Sequence, residues 1–187
     1  MTQALVLRGP RVLLRSWRTA DHAPFAALNG DAAVMEHFPA PLTPEQSTAM
    51  IDRMQAAIDE RGWGLWALEV DGALAGFTGL SRPGFDAHFM PAVEIGWRLA
   101  RPFWGRGYAS EAARLALAFG FESLALDEIV SFTATDNLRS QAVMRRLGMQ
   151  HESADDFDHP LLPAGHPLQR HVLYRLPRSH WRHSISS

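Results

Sequence analysis

The passage that most constrains this chain places a strand pattern, a glycine-containing loop and a helix pattern in succession. Apolar residues alternate with others over 92–99, the loop runs over 101–107, and an alanine-rich stretch follows over 108–124. The first turn of a helix leaves amide hydrogens unpaired, and with the positive end of the helix dipole they bind phosphate or pyrophosphate. Gly105 and Gly107 let the backbone approach such a group closely. A plain glycine-rich turn is the alternative interpretation.

Two common nucleotide sites are excluded at this passage. A dinucleotide-binding fingerprint needs a third glycine where Ser110 stands. A phosphate loop of the Walker type needs a lysine, whereas all 18 basic residues of the chain are arginine. The lack of lysine also excludes Schiff-base chemistry. The lack of cysteine excludes thiol catalysis, disulfides and thiolate metal sites.

Length and composition are those of an ordinary globular protein. The 187 residues predict a single domain over 1–187, and a net charge of −2 with 47% apolar residues argues against disorder and a nucleic-acid partner. Arginines within the first 17 residues argue against a secretion signal. The longest apolar stretch, near 112–121, is interrupted by Arg114 and is shorter than the roughly 18 residues of a membrane span. We therefore expect a cytoplasmic protein without a membrane partner, and the sequence leaves a homodimer open.

Local signals predict an alternation of strands and helices, which is typical of an α/β fold. Asp71 and Gly72 lie between two strand-like runs and predict a tight hairpin. Thr43 and Gln46 form a capping box before a helix that Gly62 ends. The predicted strands are 12–14, 65–70, 73–80, 92–99, 128–133 and 173–176, the predicted helices are 19–29, 44–61, 108–124 and 137–147, and a frayed tail is expected after 177.

Three separated motifs carry most of the information on function. They are Glu-Ile-Gly-Trp at 94–97, Phe-Trp-Gly-Arg-Gly-Tyr-Ala-Ser-Glu-Ala at 103–112, and Asn-Leu-Arg-Ser ahead of Met-Arg-Arg-Leu-Gly-Met within 137–149. Together they resemble the GNAT superfamily of acetyltransferases, and more closely its RimJ/RimL-type branch. The resemblance implies a mixed α/β fold with a twisted mixed β-sheet flanked by helices. It also implies that the strands at 92–99 and 128–133 are parallel neighbours, splayed apart at the cofactor site.

The resemblance further implies that acetyl-CoA binds as a co-substrate. The acyl-CoA loop of the family reads Gln/Arg-x-x-Gly-x-Gly/Ala, and here Gly107 and Ala109 fill its last two positions while Trp104 replaces the first. Backbone amides of the loop are implied to hold the pyrophosphate. Asn137 is implied to reach CoA, although an asparagine suits the cap of the following helix equally. The implied cofactor-binding residues are Ile95, Trp97, Phe103, Trp104, Gly105, Arg106, Gly107, Tyr108, Ala109, Asn137 and Ser140, with a solvated side chain as the alternative for Arg106.

Acetyl transfer to an amine needs a base for the amine and a proton donor for the leaving thiolate. Glu94 is the candidate base, because alternation places it on the opposite face from Val93 and Trp97; an exposed strand carboxylate is the alternative. Many members of the family have a tyrosine seven residues after the asparagine, where this chain has Met144. Ser140 is the substitute donor that the resemblance implies, with a backbone-capping serine as the alternative.

Acidic residues cluster after the last motif. Among the four acids within 152–158, we expect Asp155, Asp156 and Asp158 to attract a protonated amine, while a solvated loop is the alternative. The histidine spacing matches no metal pattern, so no metal cofactor is expected. The predicted function is N-acetyl transfer from acetyl-CoA to a small-molecule or peptide amine, including a protein N-terminus. A CoA-binding module or sensor without turnover is the other interpretation.

Overall fold

The computed structural model describes residues 5–184, which form nine strands and five α-helices. Both parallel and antiparallel strand pairs occur, so the predicted mixed α/β class is confirmed. The chain divides into two compact units. The first unit comprises Met1–Leu80 and Gly96–Ala116, and the second unit comprises Ser81–Ile95 and Leu117–Ser187. The single domain expected from the chain length stays a prediction.

Antiparallel strands form the base of the first unit. They pair in chain order and are β1 (Leu7–Arg8), β2 (Leu13–Arg15), β3 (Leu65–Val70) and β4 (Ala73–Ser81). Asp71 and Gly72 connect β3 to β4 with φ angles of 49° and 79°, as a tight turn between twisted strands requires. The predicted hairpin is therefore confirmed, whereas the two-residue strand β1 gave no signal in the sequence.

The two ends of helix α2 are set by residues next to them in the sequence. The helices that begin in this unit are α1 (His22–Gly30), α2 (Pro44–Arg61) and α3 (Tyr108–Ala118). The Thr43 hydroxyl accepts from the Gln46 N–H at 3.2 Å, and Gln46 Oε1 accepts from the Thr43 N–H at 2.9 Å. Gly62 ends the helix in the left-handed region, with φ of 79°. Both ends of α2 are therefore as predicted.

Strand β5 (Glu94–Leu99) begins in the second unit and ends in the first. Within the first unit, its end is held against β4. A Cβ atom added to Gly76 would lie 1.9 Å from the carbonyl oxygen of Arg98, so only glycine allows this approach. The Ala100 N–H donates to the Ala75 carbonyl at 2.9 Å and continues the contact. The backbone around Arg98 is consequently fixed.

The second unit is organised around strand β9. Its strands are β6 (Glu128–Ala134), β7 (Gln150–His151), β8 (Phe157–Asp158) and β9 (Arg170–Pro177). The last of these pairs antiparallel with the other three. Strand β6 also pairs in parallel with the start of β5, where Glu94 is opposite Val130. The predicted parallel neighbours are thus confirmed, and their splaying stays a prediction.

Helices of the second unit depart from the sequence expectation near the end of the chain. They are α4 (Leu138–Arg146) and α5 (Arg178–Ser184), and a π-helical turn over Phe119–Ser123 follows α3 where a longer α-helix was expected. The tail after 177, expected to be frayed, instead contains α5. Its Trp181 is buried and stacks on Phe121 with ring centroids 5.7 Å apart. Residues 185–187 lie outside the described residues.

Candidate active site

The loop between β5 and α3 has the local geometry of an anion site. Gly105 and Gly107 have φ angles of 71° and 81°, in the left-handed region that favours glycine. At the start of α3, the Glu111 N–H donates to the Gly107 carbonyl at 3.0 Å. The amides of residues 108–110 precede this bond and therefore have no partner inside the helix. They are the donors that the sequence predicted for a pyrophosphate.

The surface of this loop is open enough for a ligand to approach the backbone. A Cβ atom added to Gly105 would meet nothing within 4 Å. At Gly107 it would meet only the Nη2 atom of Arg11, at 3.4 Å. Amides without a partner inside the helix, at its positive end and next to two glycines with open surroundings, fit the diphosphate of a coenzyme A molecule.

Arg11 is a residue of this loop region that sequence reasoning missed. Its Nη1 donates to the Arg106 carbonyl at 2.9 Å, and its Nε forms an ion pair of 2.8 Å with Glu111. Its guanidinium also lies 4.9 Å from the centroid of the Tyr108 ring. Arg11 thus positions the loop, while Glu111 offsets its charge. It lies 95 residues before its loop partner, and no pattern around it signals the contact.

Among the other residues of the first unit near the predicted cofactor site, some side chains have partners within the protein and others are exposed. The Trp104 Nε1–H donates to the Leu99 carbonyl at 2.7 Å, which holds the loop to the end of β5. The Arg106 side chain is exposed. Arg101, which follows β5, pairs with Asp31 at 2.5 Å and so is already engaged. The remaining predicted residues of this unit, Trp97, Phe103, Tyr108 and Ala109, also lie in β5, the loop or the first turn of α3.

In the second unit, Glu94 is a half-buried acid without a cation beside it. Its Oε2 lies 3.5 Å from the Ser81 hydroxyl, and no basic residue among those described forms an ion pair with it. Burial raises the pKa of Glu94 to about 8, and the Ser81 contact offsets part of that effect. A carboxyl group with such a pKa exchanges protons near neutral pH, which is the property of a general base.

The backbone carbonyls on either side of Glu94 already accept hydrogen bonds from β6. The Val130 N–H donates to the Val93 carbonyl at 2.9 Å, and the Ser131 hydroxyl donates to the Ile95 carbonyl at 2.9 Å. Ile95 was predicted to bind the cofactor through its backbone. Because a carbonyl oxygen has two lone pairs, the serine leaves one of them available.

Asn137 and Ser140 meet at the start of α4. Asn137 Oδ1 accepts from the Ser140 N–H at 3.2 Å, and its Nδ2 donates to the Thr133 hydroxyl at 2.9 Å. Asn137 is therefore the helix cap that its residue type suggested. The Ser140 hydroxyl has no hydrogen-bond partner among the described residues and remains available to donate. Met144 is 1% exposed and takes no part in any polar site.

The three predicted substrate-binding acids each have a partner within the second unit. The pairs are Asp155 with Arg175 at 2.7 Å and His88 at 3.5 Å, Asp156 with His151 at 2.7 Å, and Asp158 with Arg170 at 3.3 Å. The hydrogen bond from Arg175 keeps the pKa of Asp155 below its usual value. Arginines offset the charges of Asp155 and Asp158, whereas His151 offsets that of Asp156 only when the imidazole is protonated. The role of this cluster in attracting an amine stays a prediction.

The described residues contain neither a cluster suited to a metal ion nor a helix suited to span a membrane. No group of three or more histidine, cysteine or acidic side chains is arranged to hold a metal ion there. Nor does any helix in that part of the chain combine the length and the apolar character needed to cross a membrane.

Comparison with known families gives a direct match. The model of the family described as "Acetyltransferase (GNAT) domain" matches residues 11–150. The match covers most of the chain, including the loop, Glu94 and the cap of α4. The chain therefore belongs to the GNAT acetyltransferase family.

Individual relatives agree with this assignment. The FsC-acetyl coenzyme A-N(2)-transacetylase of Aspergillus fumigatus is 31% identical over 134 residues, which are 68% of this chain and 56% of that protein. The chain thus spans little more than half of that relative. The uncharacterized N-acetyltransferase YnaD of Bacillus subtilis is 26% identical over 172 residues, 91% of this chain and 96% of that protein.

A solved structure shares the fold. It is RimL, titled a ribosomal L7/L12 alpha-N-protein acetyltransferase in complex with coenzyme A, with a TM-score of 0.73 and 17% identity. The alignment covers 92% of this chain and 98% of RimL. The family and the names of the relatives point to an acetyl-CoA-dependent acetyltransferase.

Proposed function

We propose that this protein transfers the acetyl group of acetyl-CoA directly to a primary amine, which is either a protein N-terminus or a small amine. The amine nitrogen forms a bond to the thioester carbonyl carbon, the carbon–sulfur bond breaks, and coenzyme A leaves as the thiol. The observation that carries the proposal is Glu94, a carboxyl group without a cation, whose pKa of about 8 suits removal of the ammonium proton.

The glycine-containing loop supports acetyl-CoA as the donor. Amides of the first turn of α3 are available, and the left-handed Gly105 and Gly107 leave the backbone open. Arg11 holds the same loop through its hydrogen bond to the Arg106 carbonyl. These residues bind and orient the co-substrate, and they hold no proton that the reaction needs.

Ser140 is the proposed donor to the leaving thiolate. Its N–H is used by Asn137, whereas its hydroxyl has no acceptor among the described residues. A thiol has an ordinary pKa of about 8.5, so the thiolate also leaves slowly without a donor. We expect Ser140 to contribute less to the rate than Glu94 for this reason.

We also propose that the chain belongs to the RimJ/RimL-type branch of the family. The support is the motif at 103–112, the absence of the usual tyrosine at Met144, and the shared fold with RimL. Under this assignment, peptide N-termini are the first acceptors to test.

The test is release of free coenzyme A from acetyl-CoA in the presence of a panel of peptide and small amines. We expect amine-dependent release with at least one acceptor, and loss of that release in Glu94→Gln. Tight binding of coenzyme A without release on any amine would instead favour a binding module or sensor.

A further inference from the structure

Arg98, near the end of β5, is a buried arginine without an acidic partner. It is 9% exposed, and its Nη1 donates to Asn29 Oδ1 at 2.7 Å. Its Nε is buried and has no hydrogen-bond partner among the residues that the structure describes. No carboxylate in the same part of the chain forms an ion pair with it. Buried arginines are almost always paired, so an unpaired one needs an explanation.

Two aromatic rings enclose the guanidinium of Arg98. The ring of Phe77 lies 5.3 Å from it and is buried, whereas the ring of Phe38 lies 4.2 Å from it and is 39% exposed. Rings attract a cation but do not neutralise it. Burial lowers the pKa of Arg98 to about 10, so the group stays protonated at neutral pH. A permanent positive charge therefore lies directly beneath an exposed ring.

The surroundings hold this cation in one position. Asn29 is fully buried, and its side-chain Nδ2 donates to the Ser47 hydroxyl at 2.9 Å. Its backbone carbonyl accepts from the Leu42 N–H at 2.9 Å. The backbone of Arg98 is fixed by its close approach to Gly76. A planar guanidinium held in this way, with its Nε unused, presents donors that match the two oxygens of a carboxylate.

We propose that Arg98 binds a carboxylate group of the acceptor, so that the acceptor class is a primary amine that also carries an acid group. This inference rests on the proposed acetyl transfer. Arg98 and the proposed base Glu94 belong to the same strand, β5, and are four residues apart in the sequence. The exposed Phe38 ring turns aside to admit the carboxylate, since exposed side chains change rotamer readily.

The direct test compares two acceptors that differ only in charge. Alanyl-glutamate amide and alanyl-glutamine amide have the same α-amine and nearly the same size. We expect the wild-type enzyme to acetylate the glutamate peptide with a kcat/KM about tenfold higher or more, with most of the difference in KM. Arg98→Gln should abolish the preference, and Arg98→Lys should retain part of it. Arg53→Gln, at an exposed arginine of the same unit, should leave it unchanged.

Several results would overturn the proposal. Equal kcat/KM values for the two peptides with the wild-type enzyme would do so, and that result does not depend on whether Arg98→Gln folds. A change in KM for acetyl-CoA alone in Arg98→Lys would assign the cation to a phosphate of the co-substrate instead. If no amine is acetylated, the proposed function fails. Calorimetry with the N-acetylated peptides then still tests Arg98, because only the glutamate peptide should bind to the wild-type protein.

Discussion

Arg15 and Arg98 are both buried in the first unit, but their surroundings are opposite. Arg15 is 4% exposed and donates to Asp21 at 2.7 and 2.9 Å and to Glu69 at 2.6 Å. These acids raise the pKa of Arg15, whereas burial without an acid lowers the pKa of Arg98 to about 10. The second unit repeats the contrast between the paired Asp155 and the unpaired Glu94.

The difference separates charges that hold the fold from charges that are available to a ligand. A buried charge with complete partners is costly to break, whereas one without a partner costs stability while it remains. Both unpaired groups lie in β5. We therefore assign the ion-paired residues to the architecture and the two β5 residues to the chemistry of the acceptor.

The largest effect should come from breaking the paired arginine. Arg15→Met leaves the buried Asp21 without its cation and Glu69 with only the exposed Arg18, and it should lower the free energy of unfolding by about 3–5 kcal/mol. Arg98→Met also removes the donor to Asn29, but it relieves an unpaired charge, so we expect a loss of no more than about 1–2 kcal/mol. Urea unfolding measures both. Equal losses in the two variants would contradict the comparison.

Glu94→Gln should reduce kcat about a hundredfold or more, because general base catalysis typically contributes that much. The amide keeps the size of the side chain and cannot take the proton. Glu122→Gln, at an exposed acid of the same unit, is the matched control and should behave as wild type. Full turnover of Glu94→Gln at every pH would remove Glu94 from the mechanism.

Gly107→Ala should weaken coenzyme A binding about tenfold, as measured by calorimetry. A Cβ atom at φ of 81° strains the loop and projects from the surface to which the diphosphate binds. Gly30→Ala places a methyl group where nothing lies within 4 Å and is the control. An unchanged dissociation constant for Gly107→Ala would place the co-substrate elsewhere.

Ser140→Ala should have the smallest effect, a fall in kcat of about tenfold or less with an unchanged KM for acetyl-CoA. The reason is that the thiolate is a fair leaving group without a donor. Since Asn137 binds the N–H of Ser140 and not its hydroxyl, thermal unfolding should not change. A hundredfold loss would mean that proton donation, rather than amine deprotonation, limits the rate.

The features that the sequence predicted well depend on residues close to one another in the chain. The cap of Thr43 and Gln46, the stop at Gly62 and the turn at Asp71 and Gly72 each depend on residues no more than a few positions apart. The start of α3 belongs to the same class, since the first amides of a helix lack a partner inside the helix whatever surrounds them.

What it predicted poorly depends on contacts between distant residues. Arg11 reaches the loop from 95 residues away, and Arg175 pairs with Asp155 and with Glu128, which are 20 and 47 residues distant. From the sequence alone, the acids of this cluster were therefore expected to be available to attract an amine. The sequence also gave no sign that Arg98 is buried without an acidic partner, because burial and ion pairing depend on the folded chain.

The central claim is that Glu94 takes the proton of the acceptor, and the pH dependence of kcat/KM tests it most directly. With an alkylamine acceptor, whose own pKa of about 10.4 is well above that of Glu94, the wild-type rate should rise through an apparent pKa near 8, since only the deprotonated carboxyl accepts a proton. In Glu94→Gln that limb should disappear and leave only the ionisation of the acceptor amine. The same pH profile in both proteins, at whatever absolute rate, would contradict the account.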